Sequence, residues 1–415
     1  MRYLLYFLLL VTSNLYSQTN EYILLKADRV FDGETMHNGW SVLVKGNKIE
    51  QVGMITTTPP NTTVINLAGS TILPGLIEGH THLFLHAYNE TSWNDQVLNE
   101  SRAERTSRAV NHAKATLMAG FTTARDLGTE GAMYDDAGLK KAIEKGIIPG
   151  PRLIIASRAI VTKGTYGPKS ENADVDLPQG AAEVSGINEL ESEVRTQISK
   201  GADVIKIYAD YRWGKNNESL PTFSTEALAV AANIAKSGGR QLVVHASTDE
   251  GMRRSALAGA STIEHGTDGT AETFKLMKER NVALCPTLAA VEATSTYAGW
   301  RKNIDADPVR VTASKKMFSL ALQSGVTICM GGDAGVFPHG TNAREMELMV
   351  AYGMKPLQVL KAATSVNASV FGYGDSIGRL RPGMLADIIA VTGNPVENIE
   401  AIRAIKLVMK DGKVY

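Results

Sequence analysis

The stretch Leu73-Pro74-Gly75-Leu76-Ile77-Glu78-Gly79-His80-Thr81-His82 decides how this chain is read. It continues the apolar run Thr71-Ile72-Leu73-Pro74, which reads as a buried strand bounded by Pro and Gly. Histidines at i and i+2 on a strand project to the same face, so His80 and His82 can both reach one metal ion. A His-x-His pair alone is more often incidental than a metal site. Its meaning depends on whether the chain supplies further ligands at strand ends.

Downstream, strand and helix patterns alternate. Gly120–Asp126 follows the helical stretch Ser107–Met118, Arg152–Ala156 follows Ala137–Lys145, and Ala202–Ile207 follows Ile187–Ser199. Gln241–His245, Ser261–His265, Val282–Cys285 and Val326–Met330 each follow a helical pattern in the same way. With the strand before His80 the units number eight, which predicts an α/β fold of the (β/α)8 TIM-like barrel type. A doubly wound sheet is the alternative, but no Gly-x-Gly-x-x-Gly turn supports it. Short strands with Gly punctuation flank the barrel: Tyr22–Phe31, Ser41–Val44, Lys48–Val52 and Thr63–Leu67 before it, Ala386–Val391, Ile405–Lys410 and Asp411–Tyr415 after it. Both chain ends are expected to pair into one small discontinuous β-sandwich domain. The expected organisation is a signal peptide over 1–17, small β domain over 18–72, catalytic barrel over 73–375 and the rest of the β domain over 376–415.

The chain has 415 residues, with 43 basic and 43 acidic side chains. That balance offers no basic stripe for nucleic acid and no acidic tail. Cys285 and Cys329 lie inside apolar runs and read as buried free thiols. At the N-terminus Arg2 precedes the apolar run Tyr3–Val11, then Thr12-Ser13-Asn14, with Ser17 suited to cleavage before Gln18. This is a signal-peptide pattern, too short for a bilayer anchor. It predicts a periplasmic or secreted protein with no membrane span in the mature chain; a homo-oligomer stays open.

Lys206, His245, His265 and Asp333 each end, or nearly end, an apolar run, where a barrel carries its reactive residues. Singly, each has an ordinary reading: a core or loop histidine, a surface lysine, a helix-capping aspartate. Together with His80 and His82 they point to a metal site. Lys206 is the odd member, because a protonated amine has no lone pair and repels a cation.

This order of ligands resembles the amidohydrolase superfamily, and within it the imidazolonepropionase-related amidohydrolases and secreted Xaa-Pro dipeptidase (prolidase)-like enzymes. The similarity covers nearly the whole mature chain. It includes Leu73–His82, Thr122–Gly128, Val243–Ala246, Ile263–Gly266, Gly332–Gly335, Ala362–Ser369 and Gly378–Asp387. The resemblance implies two divalent metal ions, zinc by ligand type. His80, His82 and Asp333 would hold the more buried ion, His245 and His265 the more exposed one. Lys206, carboxylated by carbon dioxide, would bridge them together with a hydroxide. Asp333 would act as general base and then acid. True imidazolonepropionases are cytoplasmic, bind one metal and lack the bridging lysine, so Lys206 and the signal peptide favour the dipeptidase-like branch.

Three segments are candidates for choosing a small-molecule substrate. Tyr208, Tyr211 and Arg212 follow Lys206; Tyr208 is similar in position to a tyrosine that assists catalysis in related dipeptidases, and Arg212 could pair with a carboxylate. Thr165-Tyr166 stands where related enzymes often carry a histidine. His339 could contact a carboxylate or cap the next helix. Arg125 and Asp126 read as a pair behind the ligands. The expected function is hydrolysis of an amide bond in a dipeptide of Xaa-Pro type or an N-acyl amino acid. The rivals are a lactonase, deaminase or cyclic-amide hydrolase on the same site, and a metal-free binding protein with the same fold.

Overall fold

The computed structural model describes residues 22–415; the expected signal peptide lies outside the described residues. Among these, no helix is long and apolar enough to cross a membrane.

Both chain ends form one eight-stranded sheet. Its path runs Lys413–Val414, Ile405–Lys410, Ile388–Thr392, Thr63–Pro74, Tyr22–Phe31, Ser41–Lys45, Lys48–Gly53, with Met36–Asn38 beside Tyr22–Phe31. Thr63–Pro74 lies between two partners: one edge pairs parallel with Tyr22–Phe31 from Thr63 to Ile72, and the other pairs antiparallel with Ile388–Thr392 from Ser70 to Pro74. Thr71–Pro74 is therefore small-sheet strand, and the first barrel stave starts at Leu76, three residues after the expected boundary at 73. The sheet curls until its ends meet. Ile49 N–H donates to Met384 O at 2.9 Å, and a Cβ on Gly412 (φ +77°) would lie 1.9 Å from Gly46 O. The curl encloses an apolar core including Leu25, Val42, Ile49, Ile388 and Met409.

The barrel staves are Leu76–Thr81, Phe121–Asp126, Arg152–Ile155, Val204–Tyr208, Gln241–Ala246, Thr262–His265 and Ala283–Cys285. The expected eighth strand, Val326–Met330, is reduced to a single bridge between Leu284 and Ile328. It still closes the ring: Cys329 N–H donates to Leu284 O at 2.8 Å and Gly79 N–H to Met330 O at 3.1 Å. On the opposite side Asp203 N–H donates to Ile155 O at 2.7 Å, joining the third and fourth staves. The seam between the first and last staves is held by Asn367, which follows the π-helical turn Ala362–Val366. Its Nδ2 donates to Ile77 O (2.9 Å) and Met330 O (2.7 Å), and its Oδ1 accepts from Met330 N–H (3.2 Å).

Alternation along the staves sorts side chains between the interior and the surrounding helices. Ile205 and Ile207 pack outward, whereas Val204 belongs to the interior cluster, so Lys206 and Tyr208 point inward. Leu242 and Val244 likewise face the helices, leaving Val243 and His245 inside. The helices begin where Ser or Thr caps them: Ser101 accepts from Glu104 N–H, Ser224 from Ala227 N–H and Thr248 from Gly251 N–H. The Thr248 cap starts its helix directly after the stave Gln241–Ala246, whereas longer loops precede the other two.

Asn367→Leu would take the acceptor from the buried Met330 N–H and a donor from Ile77 O, while Met330 O keeps Gly79 N–H. It should cost about 2–4 kcal/mol, read as a lower urea midpoint with an unchanged slope. A midpoint equal to the parent's would show that the seam is held without it.

Candidate metal centre

The first stave is irregular. Its pairing with Phe121–Asp126 slips between Leu76 and Ile77 and again between Glu78 and Thr81. Such bulges re-aim side chains near sites, and here they bring His80 and His82 together. Glu78 fixes the result: it accepts from His80 N–H (3.0 Å), Gly332 N–H (2.9 Å) and Asn342 Nδ2 (2.9 Å). The loop carrying Asp333 is thereby tied to the stave carrying the histidines.

The two imidazoles are oriented from behind. His80 Nδ1 donates to Glu264 Oε2 at 2.9 Å, and His82 Nδ1 donates to Gly128 O at 2.8 Å. Each ring then presents the lone pair of Nε2 to the centre, and the two Nε2 atoms are 3.3 Å apart. Asp333 Oδ1 lies 3.6 Å from His80 Nε2 and 3.3 Å from His82 Nε2. These three acceptors converge with no donor between them. In the metal-free protein a proton relieves the repulsion. Burial works against charging His82, but Asp333 outweighs it and lifts the imidazole to about 9. The same histidines hold Asp333 well below the usual carboxylate range in spite of its burial.

His265 and His245 complete the ring of imidazoles. The His80 and His265 centroids are 5.2 Å apart, those of His245 and His265 4.4 Å. His80, His265 and Asp333 place ligand atoms within 4.8 Å of one another. Burial, then the neighbouring His80, pushes His265 down to about 3; burial and Lys206 push His80 down to about 4. Burial and His265 drive His245 well below its ordinary value. Neutral imidazoles are what a metal requires. His265 is held by Thr287, whose Oγ1 lies 2.7 Å from Nδ1.

Lys206 is 1 % exposed and its Nζ has no hydrogen-bond partner. Burial pushes its pKa down, although Glu264 and Asp333 favour the charge. An unpartnered amine on a stave beside those that carry the imidazoles has no role in holding the fold. The residues therefore fit a metal centre in which Lys206 takes part.

At the mouth, Tyr208 stacks on His245 with centroids 4.3 Å apart and planes 16° from parallel. Tyr166 meets Tyr208 and Tyr211 edge-on at 5.0 and 4.8 Å. Arg212 is exposed, its guanidinium 5.7 Å from the Tyr211 ring. His339 is not brought to this group: it stacks on His112 at 4.3 Å, and its Nε2 bonds Leu85 O at 3.0 Å. That contact packs the Asp333 loop against the helix Arg102–Met118. The expected Arg125–Asp126 pair does not form either, because neighbours on a strand face opposite sides. Arg125 turns inward to Glu264 Oε1 (2.9 Å) and Gly79 O (2.6 Å). Asp126 turns outward toward Asp136.

Glu78, Glu264, Thr287 and Glu130 were not singled out from the sequence. For the first two a signal existed: a carboxylate inside an otherwise apolar strand is costly unless paired.

The amidohydrolase family profile matches residues 71–415. The chain belongs to the amidohydrolase family. Ochratoxinase of Aspergillus niger is 30% identical over 372 residues, covering 83% of this chain and 75% of that protein. Imidazolonepropionase of Geobacillus kaustophilus is 22% identical over 404 residues, covering 85% and 84%. The crystal structure of a Xaa-Pro dipeptidase with bound methionine in its active site superposes with a TM-score of 0.83 at 31% identity, covering 95% of this chain and all of that one. This amidohydrolase is accordingly a metal-dependent-type hydrolase of carbon–nitrogen amide bonds.

In chelator, Lys206→Met should raise stability by about 1–3 kcal/mol, because it removes an unpaired buried polar group at constant volume. Thermal or urea unfolding measures this. Destabilisation would mean that the amine has a partner in the metal-free protein.

Proposed function

We propose that this amidohydrolase is an exported two-metal enzyme that hydrolyses the amide bond of a dipeptide, with Xaa-Pro the leading class, or of an N-acyl amino acid. The observation that carries the two-metal reading is the buried, unpartnered Nζ of Lys206 on the stave next to the one that carries His245. One imidazole–carboxylate set would serve a single ion; a lysine among the ligands is useful as a neutral amine or after modification, and as a carbamate it has two oxygens to share between two ions. His80, His82 and Asp333 would hold one ion, His245 and His265 the other, with carboxylated Lys206 common to both. Zinc suits this donor set. The dipeptidase and ochratoxinase relatives support the choice of substrate class, and the Arg2–Ser17 pattern supports export to the periplasm or medium.

Bound metal ions would supply an acidified water and a polarised scissile carbonyl. The chain does the rest. Asp333 takes the proton from the attacking water and delivers it to the leaving nitrogen, which needs a carboxylate within hydrogen-bond reach of both. Its position on a loop anchored through Glu78 keeps that reach constant. The Tyr208 hydroxyl, at the mouth above His245, donates to the carbonyl oxygen as charge develops there. Arg212 receives the substrate carboxylate.

Two metals per chain and loss of turnover in chelator, restored by zinc, are the expected results of metal analysis. Fewer than one metal in protein purified without chelator would instead favour a binding protein. Asp333→Asn should lower kcat by more than ~100-fold while the unfolding midpoint stays within reach of the parent. Near-normal kcat would remove Asp333 from proton transfer.

A further inference from the structure

Glu130 lies on the loop after the second stave, in a left-handed conformation (φ +48°) that a non-glycine residue adopts at a cost. It is 2 % exposed. One carboxylate oxygen is fully used: Oε2 accepts from Tyr166 OH at 2.7 Å and from Trp93 Nε1 at 3.0 Å. The other, Oε1, is buried with no hydrogen-bond partner. Its nearest base is His82 Nδ1 at 3.9 Å, whose single proton already goes to Gly128 O. Arg105 is close by and fully buried, but it bonds main-chain oxygens: Phe84 O, Thr129 O and Glu130 O at 3.0, 3.0 and 2.7 Å. Arg105 and His82 are thus near, but neither donates to Oε1, which is left free to accept from a ligand.

Its surroundings suit a cation. Trp93 and Tyr166 meet edge-on at 5.1 Å, and Tyr166 continues to Tyr208 and Tyr211. Aromatic faces around a desolvated carboxylate favour an ammonium group. The Tyr166 and Tyr208 hydroxyls are 3.4 Å apart, so this lining is continuous with the metal centre. A dipeptide carries its ammonium on the carbon next to the scissile carbonyl, so a carboxylate near the metal-side histidines is where it is needed.

We propose that Glu130 binds the α-ammonium group of the substrate, so that the site selects dipeptides with a free amino terminus over N-acyl amino acids. This rests on the amide-hydrolase reading of the same site and names its substrate class.

The test compares a Xaa-Pro dipeptide with its N-acetyl derivative in the parent and in Glu130→Gln. Glutamine keeps an acceptor for Tyr166 and Trp93 but removes the charge. The parent should prefer the free dipeptide by about 10- to 100-fold in kcat/KM, the range of one charge-assisted hydrogen bond. Glu130→Gln should lose that preference through a raised KM for the free dipeptide, with the N-acetyl compound changed less than about twofold. An equal loss on both compounds would overturn the proposal and leave Glu130 as a support for Tyr166. A parent that prefers the N-acetyl compound would also overturn it, and that result needs no variant to fold. If the parent hydrolyses neither, the hydrolytic reading fails, and calorimetric binding of the same pair decides the present one. Preference for the free dipeptide, lost in Glu130→Gln, supports it; equal or absent binding refutes it.

Discussion

The ion pair between Arg125 and Glu264, both fully buried, is the constraint on which the barrel interior depends. Neither charge could be left there alone, since an uncompensated buried ion costs several kcal/mol. Arg125 spends its remaining donors on Gly79 O and Thr262 Oγ1 and rests on the Phe371 ring at 4.0 Å. Glu264 has one oxygen for Arg125 and another for His80 Nδ1. Arg125 therefore keeps Glu264 ionised against its burial, and Glu264 in turn fixes which nitrogen of His80 carries the proton. Behind the metal ligands the interior is polar and satisfied, which lets the front be polar and unsatisfied.

That front holds polar atoms without partners and backbone in the left-handed region side by side. Lys206 Nζ, Asp333 Oδ1 and Glu130 Oε1 are all buried without partners. Glu130, His265, Thr287 and Asp333 all have φ between 48° and 75°. Strain of this kind persists only where surrounding structure enforces it. Thr287 shows how. It precedes the helix Leu288–Tyr297, where a threonine would normally cap, yet its hydroxyl goes to His265. Glu345 caps instead, accepting from Leu288 N–H and Ala289 N–H at 3.1 and 2.7 Å. A distant carboxylate takes over a local task so that a local hydroxyl can orient a ligand.

The alternation of strands and helices, and the polar residues that end the strands, were legible because both are local patterns. His80, His82, Lys206, His245, His265 and Asp333 announced themselves as polar groups closing apolar runs, and the structure brings them to one place. What escaped was whatever depends on distant partners or register. Glu264 is 139 residues from Arg125, and no spacing rule joins them. The two slips in the first stave are invisible in a sequence that reads as a regular strand. Thr71–Pro74 has the composition of a barrel strand, but its ladder partner, Ile388–Thr392, sits in the other domain. Val326–Met330 is as apolar as its neighbours, yet closure of the ring asks only a few hydrogen bonds of it.

Identity with known enzymes does not select a substrate here, since the ochratoxinase and the dipeptidase stand at nearly equal distance, 30% and 31%. Under the proposed reading that choice falls to the loops. Asp210 is buried and locked, accepting from Ser247 N–H, Thr248 N–H and Thr248 Oγ1, so the hairpin Asp210–Pro221 has a rigid root. Its next residues, Tyr211 and Arg212, are progressively exposed. A rigid root with a free tip separates the chemistry, which tolerates little change, from recognition, which must vary. Tyr166 belongs to both halves. Its hydroxyl donates to Glu130 Oε2 on one side and lies 3.4 Å from the Tyr208 hydroxyl on the other. One hydroxyl between Glu130 and Tyr208 ties the loop carrying Tyr166 to the stave carrying Lys206, so the segments that line the mouth hold one another in place.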